Sequence, residues 1–289
     1  MIQLCCQGTE HNNLVVPCNA APRPWLWPNL LSLDAPVVAV LWQVLFARCF
    51  HAGVNALAAV VLVLAVWLIY AADRVLDAWS QKGGMPRHEF YRRHWRAVLP
   101  VWTLALALAG WLAWTRLPAL LFRQGMVLLA AVALYFGAVH VLPAALRRAW
   151  PKEAAVAVLF ALGVSLAAWN HLRSAEDALS ILLFCCLCWV NCFAIEYWER
   201  VGTTQPFANG ELSTTAWPVG IAAMCVGIAA LILLHQHRPV LSGAEAASAL
   251  GLALLDRGRH RFTADALRVL ADVALLSPIL FLPVAGMRA

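Results

Sequence analysis

Charged side chains are scarce in this chain of 289 residues, since Asp, Glu, Lys and Arg together make up only 12% of it. A soluble domain carries about 25%, whereas 63% of this sequence is hydrophobic. The composition therefore excludes an ordinary soluble protein and predicts an integral membrane protein. Polar stretches long enough to form a separate soluble domain are also lacking, and the longest one between long apolar runs covers residues 73–96.

Signals of other protein classes are missing as well. The nine cysteines show neither a disulfide framework nor the spacing of a zinc site, because four of them lie in one apolar run, where thiols behave as small apolar groups. Residues 1–33 lack the basic start and apolar core of a signal peptide, which leaves a disordered tail or an extension upstream of the true start as alternatives. The net charge of +6 is spread over several loops, so we expect anionic lipid headgroups, not nucleic acid, as its partner.

Long uncharged runs dominate the rest of the sequence. Six of them are long enough to cross a bilayer as helices, which takes about 20 residues, and they cover residues 54–72, 97–115, 124–146, 154–172, 178–195 and 212–237. Three weaker runs cover residues 35–47, 240–255 and 273–287; the second contains Glu245, and the third contains two prolines, which membrane helices tolerate. The sequence therefore predicts an all-α bundle of nine transmembrane helices over residues 34–289.

The basic residues indicate how this bundle is oriented. With nine spans and the N-terminus inside the cell, 15 of the 21 Lys and Arg residues fall on the cytoplasmic side. Cytoplasmic loops of membrane proteins carry such an excess. We therefore expect a multi-pass protein of the cytoplasmic membrane, with the ends of helices two and six facing the cytoplasm.

Two acidic pairs stand at these same helix ends. Asp73 and Asp77 follow the second predicted helix, and Glu196 and Glu199 follow the sixth. Spacings of four and three residues put each pair on one helix face. Carboxylates at membrane depth are expensive and usually serve a site or a partner. Solvated helix ends are the alternative, with aromatic residues such as Trp198 in an interfacial belt.

Two carboxylate pairs that face each other across a helical bundle are suited to hold Mg²⁺. This ion prefers hard oxygen ligands and binds through one or two carboxylates together with substrate phosphates. A prenyl diphosphate requires such a site, because its headgroup must be neutralised at the membrane edge while its tail lies in an apolar cleft. Metal ions stabilise the charge of the departing diphosphate, and Arg and Lys donors complete its binding.

The first acidic pair lies in a segment that resembles a family motif. Residues 69–77 read Ile-Tyr-Ala-Ala-Asp-Arg-Val-Leu-Asp. They are similar to the motif Asn-Asp-x-x-Asp-x-x-x-Asp of the UbiA superfamily of intramembrane prenyltransferases. Asp73 and Asp77 match its second and third acids, whereas Ile69 and Tyr70 stand in place of the leading Asn and Asp.

The second acidic pair is similar to the second motif of that family, Asp-x-x-Asp-x-x-x-Asp. Glu196 and Glu199 match its first two acids, and Thr203 takes the place of the third. Members of the family have nine membrane helices, with these motifs on the cytoplasmic side after helices two and six. The resemblance thus covers nearly all of the chain beyond residue 33.

The resemblance implies transfer of a prenyl group from a prenyl diphosphate to a lipophilic acceptor. Mg²⁺ is the expected cofactor, with Asp73, Asp77, Glu196 and Glu199 as its ligands and catalytic residues. The expected diphosphate-binding residues are Arg74, Lys82, Arg87, Arg92, Arg93, Lys152 and Asn191. For Lys152, a role in starting a helix beside Glu153 stays open, and for Asn191 a contact between helices.

Two other functions compete with prenyl transfer. A non-catalytic membrane protein of the same fold would bind an isoprenoid or lipid, or scaffold a neighbouring enzyme. A transporter of a small anion is disfavoured, because it would need charges through the bilayer centre, and the apolar runs of helices two to seven carry almost none.

A charged segment precedes the last apolar run. Asp265, Arg268 and Asp272 fall on one face of a predicted helix, with Thr263 as its N-cap. Two interpretations are open for this face. It forms either a ladder of ion pairs within the helix, or an acid–base cluster that enters the cytoplasmic mouth of the bundle.

Overall fold

The computed structural model describes residues 24–80, 86–141, 152–203, 218–234 and 239–287. Within these ranges the chain is helical apart from short connections, and no strand occurs in them, so the prediction of an all-α protein is confirmed. Ten helices are labelled in chain order: α1 Asp34–Cys49, α2 Ala56–Ser80, α3 Pro86–Arg116, α4 Ala119–Val141, α5 Lys152–Ser165, α6 Ala175–Thr203, α7 Pro218–Leu234, α8 Pro239–Gly258, α9 Ala264–Ala274 and α10 Pro278–Met287.

Six helical segments in the described ranges are long and apolar enough to cross a membrane, which makes the chain a multi-pass membrane protein. They are Ala56–Leu76, Arg93–Arg116, Ala119–Val139, Lys152–His171, Ala175–Glu199 and Ala264–Ala285. The segment before α1 and α1 itself, Pro24–Leu30 and Asp34–Cys49, make a seventh if this pair, bent by 73°, counts as one span. Helices α7 and α8 lie outside this set, and the count of nine spans stays a prediction.

Two helices extend further than their apolar runs predict. The last span begins at Ala264 instead of at residue 273, so the charged face of α9 belongs to the span itself. Thr263 caps it as predicted, because its Oγ1 accepts a hydrogen bond of 3.3 Å from the Ala266 amide. Helix α6 continues to Thr203, past the point where its apolar run ends. Glu196 and Glu199 therefore lie within α6, because the helix continues beyond both of them.

The main core lies around α1, which packs against α2, α5, α9 and α10 and reaches α6 through its aromatic side chains. The fully buried Trp42 stacks near Phe184 of α6 with ring centroids 4.4 Å apart, and Phe46 meets the same ring edge-on at 5.4 Å. The indole Nε1 of Trp42 donates a 2.8 Å hydrogen bond to the carbonyl of Leu275, where α9 ends. This bond satisfies a backbone group that the break between α9 and α10 leaves unpaired within the membrane.

Helices α3 and α4 contribute little to this core. Only 6% of the residues are buried in the most apolar window of each of these spans, against 44% for the span in α6. The two helices therefore present most of their surface to lipid. Most of the polar groups described below lie instead between α1, α2, α5, α6 and α9.

Replacing Trp42 by Ala should destabilise the protein by about 3–5 kcal/mol, because the change empties a packed site and leaves the Leu275 carbonyl without its donor. The measurement is reversible unfolding of the purified protein in mixed micelles with increasing SDS. Trp114→Ala is the matched control, since Trp114 is 75% exposed and its loss should change the free energy of unfolding by less than about 1 kcal/mol. Equal losses in both variants would contradict the assigned core.

Candidate functional site

Asp272 of α9 brings together the ends of the two helices that carry the acidic pairs. The Nδ2 of Asn191, in α6, donates to Asp272 Oδ1 at 3.4 Å. The Arg74 guanidinium, in α2, interacts with the charge of the same carboxyl. Since Arg74 is next to Asp73 and Asn191 lies one turn before Glu196, both acidic segments start from the same region of the bundle.

The first acidic pair is only partly described. Asp73 is half-buried and has an interaction partner, whereas the side chain of Asp77 lies outside the described part of the structure. Arg74 is half-buried, and its Nη1 is a buried atom with no hydrogen-bond partner in the described ranges. Of the other predicted diphosphate-binding residues, Arg93 is exposed, and the side chains of Lys82, Arg87 and Arg92 lie outside the described residues.

The second acidic pair is bound to cations from two other helices. Glu196 Oε1 lies 3.5 Å from Nζ of Lys152, at the start of α5, and the same Nζ is 3.5 Å from Oε1 of Glu153. Glu199 Oε1 lies 2.9 Å from Nη2 of Arg268 in α9. Arg268 thus pairs across to another helix, which favours the acid–base cluster over the ladder within α9. Each glutamate therefore lies beside a cation of another helix, although Lys152 is shared between Glu196 and Glu153.

The sequence-based interpretation missed Asp34. Its Oδ2 accepts a 2.6 Å hydrogen bond from Asn29 Nδ2, its Oδ1 accepts one of 3.0 Å from the Ala35 amide, and its side chain is in hydrogen-bonding contact with the Asp272 carboxyl. The available signal was an acidic residue in the first turn of α1, which by itself indicates only a favourable helix start.

A small cavity lies beside this carboxyl pair. It has a volume of about 30 Å³ and is lined by side chains of α1, α2, α5, α6 and α9 together with Leu275. Its polar lining consists of Tyr70, Asn191, Cys192 and Asp272, and the rest is apolar. This volume holds about two water molecules. Tyr70, which stands where the similar family motif has its first acid, therefore lines this cavity.

Trp198 does not belong to an interfacial belt. It is 3% exposed, and its Nε1 donates a 2.9 Å hydrogen bond to Oδ1 of Asp256 in α8. The other oxygen of Asp256 accepts from the Gly220 amide of α7 at 3.0 Å, and Arg259 Nη1 lies 3.1 Å from Oδ1. This network ties α6 to α7 and α8. It holds the end of α6, and with it the glutamate pair, in place.

The start of α3 is joined to the same region by Tyr91. Its hydroxyl lies 3.1 Å from Ser32 Oγ, in the turn before α1, and its ring is buried. Burial raises the pKa of Tyr91 above its usual value, although its hydrogen bond to Ser32 and the nearby charge of Arg74 act in the opposite direction. The phenol is therefore neutral at physiological pH and serves as a hydrogen-bonding group.

The donor chemistry of the predicted ligands suits Mg²⁺, but the arrangement of the second pair does not favour it. Within the described ranges, no three His, Cys, Asp or Glu side chains come together to hold a metal ion. Glu196 and Glu199 instead contact Lys152 and Arg268. With the Asp77 side chain outside the description, the magnesium site stays a prediction.

No protein-family model, no curated protein and no solved structure matches this chain. The relation to the UbiA superfamily therefore remains a resemblance of motifs, and the geometry at the ends of α2, α6 and α9 is the basis for a functional proposal.

Removal of the ion pair between Glu199 and Arg268 should destabilise the protein. We expect Glu199→Gln to cost about 1–3 kcal/mol, since the pair is mostly buried and the Arg268 charge loses its partner. The exchange of both residues, Glu199→Arg with Arg268→Glu, should recover part of this loss. SDS-driven unfolding gives the free energies. Lys152→Gln is the control, because Lys152 is 54% exposed and should contribute less than about 1 kcal/mol. If the double variant is no more stable than Glu199→Arg or Arg268→Glu alone, the two residues do not form a direct pair.

Proposed function

We propose that the chain is an intramembrane prenyltransferase, which moves a prenyl group from a prenyl diphosphate to a lipophilic acceptor. The observation that supports this proposal is the position of Asp272, which accepts a hydrogen bond from Asn191 and is near enough to Arg74 to interact with its charge. It brings the two acidic helix ends to one mouth of the bundle, next to a largely apolar cavity. Acids, cations and apolar surface at one membrane edge are the features that a prenyl diphosphate requires.

In this proposal, the cations of the chain bind the diphosphate. Arg74 has a buried Nη1 without a partner in the described ranges, and Lys152 is exposed at the start of α5. Guanidinium and ammonium groups bind phosphate oxygens through charge-assisted hydrogen bonds. The basic residues before the span of α3, together with the preceding loop, would add further donors: Lys82, Arg87, Arg92 and Arg93.

Mg²⁺, when bound, supplies positive charge that stabilises the departing diphosphate, and its proposed ligands are Asp73, Asp77, Glu196 and Glu199. Lys152 and Arg268 compete for the two glutamates, at 3.5 and 2.9 Å. Metal binding at the second pair therefore requires these ion pairs to open. A higher apparent affinity for Mg²⁺ is expected where either cation is removed.

We also propose nine spans in the cytoplasmic membrane, with the acidic motifs facing the cytoplasm. The excess of basic residues on that side, 15 of 21, supports this orientation. In the described bundle the start of α5, the end of α6 and the charged part of α9 meet at one end, which supports assigning them to one side of the membrane.

A second candidate function is favoured by a specific observation. Glu196 and Glu199 lie 3.5 and 2.9 Å from cations of the chain itself, and the cavity of about 30 Å³ is too small for a prenyl chain. A non-catalytic protein that binds an isoprenoid or another lipid, or that scaffolds a neighbouring enzyme, would have these two properties.

The proposed orientation can be tested with single cysteines in a variant whose own cysteines are replaced by Ala or Ser. Asp265→Cys and Arg116→Cys are both at exposed positions, at opposite ends of the proposed topology. A membrane-impermeant maleimide added to intact cells should label the second variant only, whereas permeabilised cells should give labelling of both. Labelling of Asp265→Cys in intact cells would reverse the orientation.

The proposed function predicts Mg²⁺-dependent binding of a non-hydrolysable prenyl diphosphate analogue to the purified protein. Asp73→Ala and Glu196→Ala should each weaken this binding by at least about tenfold, a loss of about 1.4 kcal/mol. Asp265→Ala is the matched control, because it removes an exposed carboxylate from the same end of the bundle. Isothermal titration calorimetry in detergent measures the affinities.

Binding that depends on the metal and fails in both variants would justify a screen of acceptors for pyrophosphate release. Analogue binding that is unchanged by Mg²⁺ and by either substitution, in folded protein, would refute prenyl transfer at this site and leave the second candidate function.

A further inference from the structure

Glu245 of α8 is a buried carboxyl that takes no part in the acidic helix ends described above. Its exposed fraction is 0%, and both of its oxygens are buried atoms without a hydrogen-bond partner in the described ranges. Among the described residues, none places a positive charge beside this carboxyl. An ionisable side chain inside a membrane protein is expensive and usually marks a site, so we expect Glu245 to have a bound partner.

Ser242 lies one turn before Glu245 and supplies a third unsatisfied oxygen. Its exposed fraction is also 0%, and its Oγ is buried without a partner in the part of the chain that the structure describes. Residues three apart on a helix are neighbours on its surface, yet this hydroxyl makes no hydrogen bond to the carboxyl. A group that contacts both side chains at once would satisfy all three oxygens.

The break between α9 and α10 lies against this part of α8. Ser277, in the break, donates from Oγ to the Ala244 carbonyl at 2.7 Å, and the same Oγ lies 2.7 Å from Ser248 Oγ. Because Ser277 gives its one proton to Ala244, the Ser248 hydroxyl donates to Ser277. Neither hydroxyl keeps a proton for Glu245, so oxygens that can accept outnumber the donors here. In membrane transporters, the end of a half-helix at such a break coordinates Na⁺.

The surroundings of Glu245 limit its partner to a small cation of single charge. A proton alone would leave the new O–H and the second oxygen without partners in the described ranges. Mg²⁺ would leave an excess positive charge beside one carboxylate, and it keeps several waters. Leu241 and Leu252 share the face of Glu245 by helical spacing and are both 0% exposed, so they offer such waters no polar contact. A dehydrated Na⁺ ion is smaller than a water molecule and needs only oxygens.

We propose that Glu245 and Ser242 bind one Na⁺ ion inside the bundle, in the part of α8 next to the break between α9 and α10. The two carboxylate oxygens and Ser242 Oγ are its side-chain ligands, and Ser248 Oγ has lone pairs for the same ion. The bound ion neutralises the carboxylate and stabilises the packing of α8 against the last span. This site shares no ligand with the proposed Mg²⁺ site and does not depend on prenyl transfer.

Equilibrium binding of radioactive Na⁺ to the purified protein in detergent tests the site, with choline chloride holding the ionic strength constant. Wild-type protein should bind Na⁺ saturably, at about one ion per chain, and Mg²⁺ at the same concentration should not displace it. A ligand that binds only the folded state stabilises it. Replacing choline by Na⁺ should therefore raise the SDS concentration at which half of the protein is unfolded.

Glu245→Gln keeps the shape of the side chain and removes its charge, so the affinity for Na⁺ should fall by at least about tenfold. Asp265→Asn is the matched control, because it makes the same change at an exposed carboxyl and should leave Na⁺ binding as in wild type. Glu196→Gln should also keep it, which separates this site from the acidic helix ends.

Wild-type protein that binds no Na⁺ saturably would overturn the proposal, since Glu245 would then hold a proton and not a metal ion. Binding that persists unchanged in folded Glu245→Gln would overturn it as well. Ser242→Ala, a smaller change, provides the same comparison where Glu245→Gln does not fold. It should weaken Na⁺ binding, and unchanged binding in this variant would remove Ser242 from the site and contradict the proposal.

Discussion

A carboxylate inside a membrane protein has no water to solvate it and must find its partners on neighbouring helices. Asp272 of α9 meets this requirement with groups of three other helices: it accepts a hydrogen bond from Asn191 of α6, it meets Asp34 of α1, and it interacts with the nearby charge of Arg74 of α2. Because each partner is itself costly to bury alone, the contacts hold the four helix segments at fixed positions. The cavity, the acidic pairs and the cations all lie around this one carboxyl.

The charges around Asp272 form two sets with different consequences. Glu196 and Glu199 are balanced by Lys152 and Arg268, whereas Nη1 of Arg74 and Oδ1 of Asn191 are buried atoms without partners in the described ranges. Nε of Arg268 is likewise a buried atom without a partner there, so the region between α6 and α9 is only partly balanced.

Much of the fold could be predicted from apolar runs, since a run of about 20 uncharged residues in a bilayer has to form a helix. Helices α2 to α6 follow that rule, and Thr263 caps α9 as its side chain predicts. The predicted start of the last span was wrong. Asp265, Arg268 and Asp272 interrupt the apolar run in the sequence, but the opposite face of the helix is apolar, so the span begins at Ala264. The alternative that placed Trp198 in an interfacial belt was also wrong, since its indole is buried and donates a hydrogen bond to Asp256.

The sequence by itself determined the membrane class, the helical content and the two acidic segments, because hydropathy and helical spacing are local properties of the chain. It also pointed to the charged face of α9. Only the tertiary structure decided which ion pairs form, Lys152 with Glu196 and Arg268 with Glu199, and that the side chains of Asp34 and Asp272 meet. Asp34 and Asp272 are 238 positions apart by their numbers in the sequence, and no local pattern relates them. Their contact exists because α1 and α9 pack side by side, and that packing depends on the shapes of many side chains at once.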